Sequence, residues 1–172
     1  MKKKRRVKII RWVALAVMLV LAVSLWAAQA YWSFDIDITH NAVLFNDESG
    51  EYLADVTIAL TGVHKKSLLR ESFFEGRIDI PQLDDLPDMS SVCVQFLNYG
   101  FLGETPYGTV YLLDKQGMLP TERVGTLFAT DDFQLLYLSL LRYRSKSGYC
   151  VAAPAEDIAE AKDMLRKIVT AD

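Results

Sequence analysis

Acidic side chains are the residues whose types and spacing could do chemistry in this sequence. They cluster at four places, which are Asp35 with Asp37, Asp47 with Glu48, Asp84 with Asp85 and Asp88, and Asp131 with Asp132. Carboxylates that converge from turns can bind Ca²⁺ or act as the acid and base of a glycosidase. The Ca²⁺-loop pattern D-x-[DN]-x-[DN]-G is missing from the sequence, and acidic turns are usually solvated. We therefore predict no metal site and no catalytic residues among them.

Nucleophilic catalysis has few candidate residues in this chain. His40 and His64 are the two histidines, and neither has a second ligand at the spacing that zinc sites use. Their polar neighbours suggest turns. No serine occupies a G-x-S-x-G elbow, so a Ser-His-Asp arrangement is not indicated. We predict no catalytic triad and no cofactor site.

A glycine-rich segment at residues 98–108 is the candidate recognition loop. It carries Tyr99, Phe101 and Tyr107 among three glycines. Exposed aromatic side chains on a rigid scaffold bind peptides or sugars well. The alternative is that these rings fold back and cap the core.

Two cysteines, Cys93 and Cys150, form a candidate disulfide if the domain lies in an oxidising compartment. In the run SVCVQF the apolar residues Val92, Val94 and Phe96 share one strand face, which leaves Cys93 on the other. A pair of reduced, half-buried thiols is the equal alternative.

The N-terminal segment predicts export. Residues 1–11 form a basic head, and residues 12–28 are apolar apart from Ser24. Residues 12–32 are long enough for a membrane anchor, and tryptophans at both ends favour retention in the bilayer. Ala28 and Ala30 form a small-x-small cleavage motif, so a signal peptide is the alternative.

Charge sets the expected location and partners. The chain carries a net charge of −3, and since seven basic residues stand in the head, the remainder carries −10. Basic flanks stay in the cytoplasm, so we expect a single-pass protein of the cell membrane with its C-terminal domain outside, or secretion after Ala30. The expected partners are the lipid bilayer through residues 12–32 and a protein or cell-wall polymer. Nucleic acid is not expected, because so acidic a domain would repel it.

Period-two alternation begins at residue 33 and predicts a β-rich domain over residues 33–172. Phe34, Ile36 and Ile38 alternate with polar residues, and similar short runs follow between turns. Residues 133–141 are apolar on both faces, which predicts a central strand. Residues 154–170 predict an amphipathic helix that covers one face of that strand. The predicted fold is an antiparallel β-sandwich with a C-terminal helix, preceded by a transmembrane or signal helix.

Four runs carry a resemblance: FFEGRIDI at residues 73–80, GTLF at 125–128, DDF at 131–133 and APA at 153–155. In these runs the chain resembles uncharacterised, single-anchor extracytoplasmic proteins of Gram-positive bacteria. The resemblance implies an anchored outer domain and no activity. The segment FEGRI is also similar to strands of transthyretin-like and carboxypeptidase-regulatory-like sandwiches, which concerns the fold alone.

These observations predict a membrane-anchored extracytoplasmic binding or structural module that is not an enzyme. One alternative is a secreted or anchored hydrolase that uses carboxylates such as Asp131 and Asp132. The other is an accessory subunit of a membrane complex, whose N-terminal helix packs on a partner.

Overall fold

The computed structural model describes residues 2–28, 30–67, 70–83, 86–98, 104–114, 116–117, 119–141 and 148–170. Its elements are α1 (Lys2–Ala28), β1 (Trp32–Asn46), β2 (Glu51–Lys66), β3 (Ser72–Asp79), β4 (Val92–Asn98), β5 (Glu104–Leu113), β6 (Pro120–Ala129), β7 (Leu136–Leu140), β8 (Tyr149–Ala153) and α2 (Ile158–Thr170).

The eight strands form a closed antiparallel barrel, so the predicted sandwich is wrong. Each strand pairs with its neighbours in chain order, and β1 pairs with β8 to close the sheet. The strand alternation that we observed in the sequence buries one face in either architecture. What distinguishes a barrel is the pairing of the first strand with the last, a contact between residues about a hundred positions apart.

A long hairpin of β1 and β2 forms the largest part of the barrel wall. The two strands pair along their whole length, from Trp32 opposite Lys66 to Asn46 opposite Glu51, with an irregularity between Leu44 and Phe45. In the pairing of β2 with β3, Gly62 lies opposite Gly76. A Cβ atom at Gly62 would lie 2.3 Å from the carbonyl oxygen of Glu75, so glycine lets these strands approach closely.

Apolar side chains pack into two separate cores. The larger fills the barrel interior and includes Leu44, Ile58, Phe74 and Leu138, all at most 2% exposed. Its packing leaves a filled centre, as expected for eight strands. The smaller core lies on the outer face of the barrel beneath α2. Its members are Val43, Phe45, Tyr137, Cys150, Ala152, Ala155, Ala161, Met164 and Ile168.

Helix α2 begins at Ile158, four residues later than predicted. The backbone N–H of Glu160 donates to Asp157 Oδ1 over 2.8 Å, which places an N-cap at Asp157. Met164 and Ile168 face Tyr137 of β7, which confirms that this helix covers the outer face of that strand.

Strand β7 is shorter than the predicted strand at residues 133–141. Phe133 lies before it in a turn with a φ of 57° and is buried. Its ring lies 5.6 Å from that of Phe74 in the interior. Phe133, whose hydrophobicity predicts a strand, therefore lies in a turn and fills one end of the barrel.

Helix α1 covers 27 residues and presents apolar side chains to solvent, from Trp12 to Trp26. Within the residues that the structure describes, no helix is both long and apolar enough to cross a membrane. The membrane-spanning helix that we expected ahead of the β domain is therefore not found, and this part of the fold prediction is corrected too.

Candidate binding site at the barrel seam

Only part of β1 has a partner strand on both edges, and the candidate site lies where the second pairing ends. β1 pairs with β8 from Val43 to Asn46, whereas it pairs with β2 from Trp32 onward. In the described part of the chain, no strand pairs with the second edge of residues 32–42. We call these residues the open segment and the line where β1 meets β8 the seam.

The mismatch in strand length explains the open segment. β1 has 15 residues, whereas β8 has five and ends at Ala153. Pro154 follows, and proline has no backbone N–H to donate to a neighbouring strand. The chain then leaves the sheet towards α2. The edge of β1 beyond Val43 therefore has no continuation of β8 to pair with.

A cleft of about 380 Å³ lies at the seam, where the open segment begins. Its lining residues are Asn41, Ala42, Asp55, Val56, Thr57, Gln82, Ala155 and Glu156. The side chain of Gln82 is held in place, because its Oε1 accepts the backbone N–H of Thr57 over 3.0 Å. The cleft is thus bounded by β1, by β2 and by the segment that joins β8 to α2.

Carboxylates dominate the charge around the cleft and the open segment. Asp55 and Glu156 line the cleft. Tyr52 hydrogen-bonds to Asp55, and this bond to the carboxylate raises the pKa of the tyrosine hydroxyl. Asp35 and Asp37 lie exposed on the open segment, where Asp37 Oδ1 accepts a long 3.5 Å hydrogen bond from Thr61.

Basic side chains form ion pairs with carboxylates of the neighbouring strands, whereas the open segment keeps its negative charge. Lys65 pairs with Glu75 at 2.9 Å, and Arg77 pairs with Asp79 at 3.1 Å. No such ion pair joins Asp35 or Asp37 to a described residue. An approaching partner therefore meets uncompensated negative charge at this edge.

Of the three aromatic residues in the predicted recognition loop, Tyr107 is described, whereas Tyr99 and Phe101 lie outside the described residues. Tyr107 belongs to β5, and its half-exposed ring lies 5.6 Å from Phe128. Phe128 lies 6.0 Å from Tyr137, which in turn contacts Phe45 beneath α2. Tyr107 therefore ends a row of packed aromatic rings on the outer face of the barrel.

The two cysteines are free thiols, so the candidate disulfide is not formed. Cys93 lies on β4 and Cys150 on β8, and three strands separate them in either direction around the barrel. Burial raises the pKa of both thiols, and the carboxylate of Glu75 raises that of Cys93 further. Ala28 is the last residue of α1, and its cleavage motif with Ala30 stays a prediction.

Both histidines lie on strands rather than in turns. His64 is buried on β2, with its ring 5.1 Å from Phe133 and 5.5 Å from Phe96. His40 is half-buried on β1 and belongs to the open segment. Its Nε2 atom has no hydrogen-bond partner among the described residues.

The carboxylates proposed for a hydrolase take part in local contacts. Asp131 forms an ion pair of 2.8 Å with Lys66. Asp132 accepts hydrogen bonds from the hydroxyl of Thr130 and the backbone N–H of Gln134, which lower the pKa of its carboxyl group. A general acid needs a raised pKa instead. Asp84 and Asp85 lie outside the described residues, and those described include no group of three His, Cys, Asp or Glu residues suited to a metal ion.

The seam was not foreseen from the sequence, although a signal for it exists. The polar residues His40 and Asn41 suggest a break, yet the inward-facing residues on either side of them, Ile38 and Ala42, are in phase and β1 continues through. A strand of this length, set against a five-residue last strand followed by Pro154, implies an unpaired stretch wherever the two become neighbours.

Comparisons of the chain with protein-family models, with curated proteins and with solved structures find no match.

Proposed function

We propose that this protein is an exported, membrane-associated binding module that offers the seam of its barrel to a partner. The observation that carries the proposal is the seam, where a cleft of about 380 Å³ adjoins an open strand edge. Apolar side chains of the described residues fill the barrel interior, which favours a partner that binds on the outer surface.

Membrane association rests on the surface of α1. Trp12 is 73% exposed and Trp26 is 75% exposed, with apolar side chains between them. A contiguous apolar surface of this kind marks a contact with lipid or with another protein, and tryptophans favour the membrane interface. The basic head at residues 1–11 adjoins it, as in export signals. The lipid bilayer is accordingly the proposed partner of residues 12–32.

Fractionation of cells that express the full chain tests the proposal. We expect the protein in the membrane fraction, from which detergent should release it. A membrane-impermeant maleimide applied to intact cells at about pH 8 should label Cys93, the half-buried thiol, because the barrel lies outside. The matched control is C93A, which should remain unlabelled.

Two other results have distinct meanings. A chain that starts at Tyr31 and appears in the medium would show cleavage after Ala30, and the binding module would then be a secreted one. A full-length protein in the soluble cytoplasmic fraction, unlabelled until lysis, would contradict the proposal.

A further inference from the structure

We infer that the open segment of β1 binds its partner by strand addition, and that the partner is an extended polypeptide segment with Lys or Arg at alternate positions. The inference rests on the proposed binding function and names the class of partner and the site. It follows from the backbone edge of the open segment, from the side chains on its two faces and from the charge of its carboxylates.

The backbone of the open segment is the first observation. A strand has two edges, and alternate N–H and C=O groups point to each. β2 occupies one edge of residues 32–42, and no described strand occupies the other. Residues 32–41 extend over about 34 Å, which is enough for a partner strand of eight to ten residues. Main-chain hydrogen bonds would supply affinity that does not depend on the partner's side chains.

The edge lacks most of the features that prevent strand addition. Natural edge strands are protected by proline, by charged side chains (especially lysine), by a bulge or by a covering element. The open segment, WSFDIDITHNA, has neither proline nor lysine, and its charged side chains, Asp35 and Asp37, repel an acidic strand but attract a basic one. The one irregularity of β1, between Leu44 and Phe45, lies in the closed part of the strand. The open segment is therefore a regular template for another strand.

The two faces of the open segment select the pattern of side chains on the partner. Asp35 and Asp37 lie exposed on the outer face and have no described ion pair. Directly opposed cross-strand residues of opposite charge attract, so Lys or Arg is preferred at the facing positions. On the other face Phe34 is 51% exposed and Ile36 and Ile38 are half-buried. Apolar residues of the partner would cover them.

The cleft also favours a basic side chain of the partner, at the end of the open segment near Asn41. It opens beside Asn41, and Asp55 and Glu156 contribute its carboxylates. A basic side chain at the end of the added strand would lie between these two groups. Strand and cleft thus favour the same partner, which is basic on one face and apolar on the other.

The charge of the edge disfavours a second copy of this chain as the partner. Two antiparallel copies of the open segment that pair near its middle would bring Asp35 and Asp37 of one copy against the same residues of the other. Like charges at facing positions of a sheet repel each other. The acidic edge therefore selects a partner of different sequence.

Peptide binding to the full chain in a neutral detergent tests the inference. The probe is the acetylated, amidated peptide TKVKVKVKVT, and its control is TEVEVEVEVT. We expect binding of the basic peptide and at least tenfold weaker binding of the acidic one. Backbone hydrogen exchange should show new protection at alternate amides of residues 32–41, because only every second N–H points to the open edge.

Two N-methylated peptides separate strand addition from charge attraction alone. Methyl groups on the lysine amides block one edge of the probe, and methyl groups on the valine amides block the other. Because an added strand uses a single edge, we expect just one of the two peptides to lose binding. Equal binding of both, or loss of both, would overturn the inference.

A charge-matched pair of variants locates the site. D35N/D37N should weaken binding of the basic peptide about tenfold, whereas E51Q/E122Q, with the same change of charge at exposed positions away from the open segment, should leave it within about twofold. Thermal unfolding confirms that each variant is folded. An equal effect of both variants, no binding to the folded protein, or dimers of the full chain paired through β1 would overturn the inference. Fractionation is independent of these results, so either proposal can fail alone.

Discussion

The two halves of β1 differ in sequence pattern and in structural role, because apolar and polar residues alternate from Phe34 to Thr39 whereas Ala42–Phe45 are all apolar. Val43–Asn46 pairs on both edges, and its side chains are buried on both faces, with Leu44 in the barrel interior and Val43 and Phe45 beneath α2. Residues 32–41 pair on one edge and remain largely exposed. The comparison shows that one strand can hold the barrel closed at one end and leave an edge without a described partner strand at the other.

The largest expected effect comes from removing one aromatic ring from each half. F45A should lower the free energy of unfolding by about 3–5 kcal/mol, because Phe45 is fully buried and its loss leaves a cavity beneath α2. F34A should cost less than about 1 kcal/mol, because half of that side chain is exposed. Denaturant unfolding of both variants measures the difference. Similar losses would show that the open half contributes equally to the fold.

A smaller effect is expected in the reactivity of the two thiols, since Cys150 lies opposite Phe45 in the closed half. Cys150 is 3% exposed beneath α2 whereas Cys93 is half-buried, so at neutral pH we expect Cys150 to react at least about tenfold more slowly than Cys93. Labelling with a thiol reagent, resolved by peptide mass, gives both rates.

The control for thiol reactivity is a variant that weakens the packing of α2 on the barrel. M164A removes a buried contact beneath the helix and should accelerate labelling of Cys150 while leaving Cys93 unchanged. If Cys150 reacts as fast as Cys93 in the unmodified protein, then α2 does not protect the closed half in solution.

The smallest expected effect is on the stability contributed by Asp132, which lies in the turn that holds Phe133 at one end of the barrel. Hydrogen bonds from Thr130 and Gln134 lower the pKa of Asp132, so they stabilise the folded protein above the unfolded-state pKa. That stability is lost as the pH falls through the lower, folded-state pKa. D132N should cost about 0.5 kcal/mol at pH 7, because the carboxylate is exposed to solvent.

Unfolding of D132N and the unmodified protein over a range of pH measures this contribution. The two stabilities should converge as the pH falls through the lowered folded-state pKa of Asp132, because its carboxyl group is then protonated in the unmodified protein. A difference that stays constant with pH would mean that the charge of Asp132 does not stabilise the turn.

Much of the strand content could be predicted from the sequence, because alternation of apolar and polar residues is a local property. The short alternating runs include residues 53–61 and 92–97, which lie within β2 and β4, and the predicted face of Cys93 opposite Val92 and Val94 is confirmed. Phe133 was assigned wrongly to a strand, because hydrophobicity records burial and not the backbone conformation that achieves it.

The candidate site was harder to predict, because it results from a pairing that fails to occur. Asp35 and Asp37 were recognised as a shared strand face, but their importance depends on the missing neighbour of residues 32–42. Asp55, Gln82 and Glu156 come from three distant parts of the chain and meet only at the cleft. No spacing in the sequence relates them.

By itself the sequence determined the strand pattern, the amphipathic α2, the apolar surface of α1 and the acidity of the β domain, since each depends on residue type and local spacing. Only the tertiary structure decided that the sheet closes into a barrel, that Cys93 and Cys150 lie on opposite sides of it, and that β8 leaves part of β1 unpaired. Those outcomes depend on which distant strands meet and in what register, and the alternation of a single strand carries no information about its neighbour.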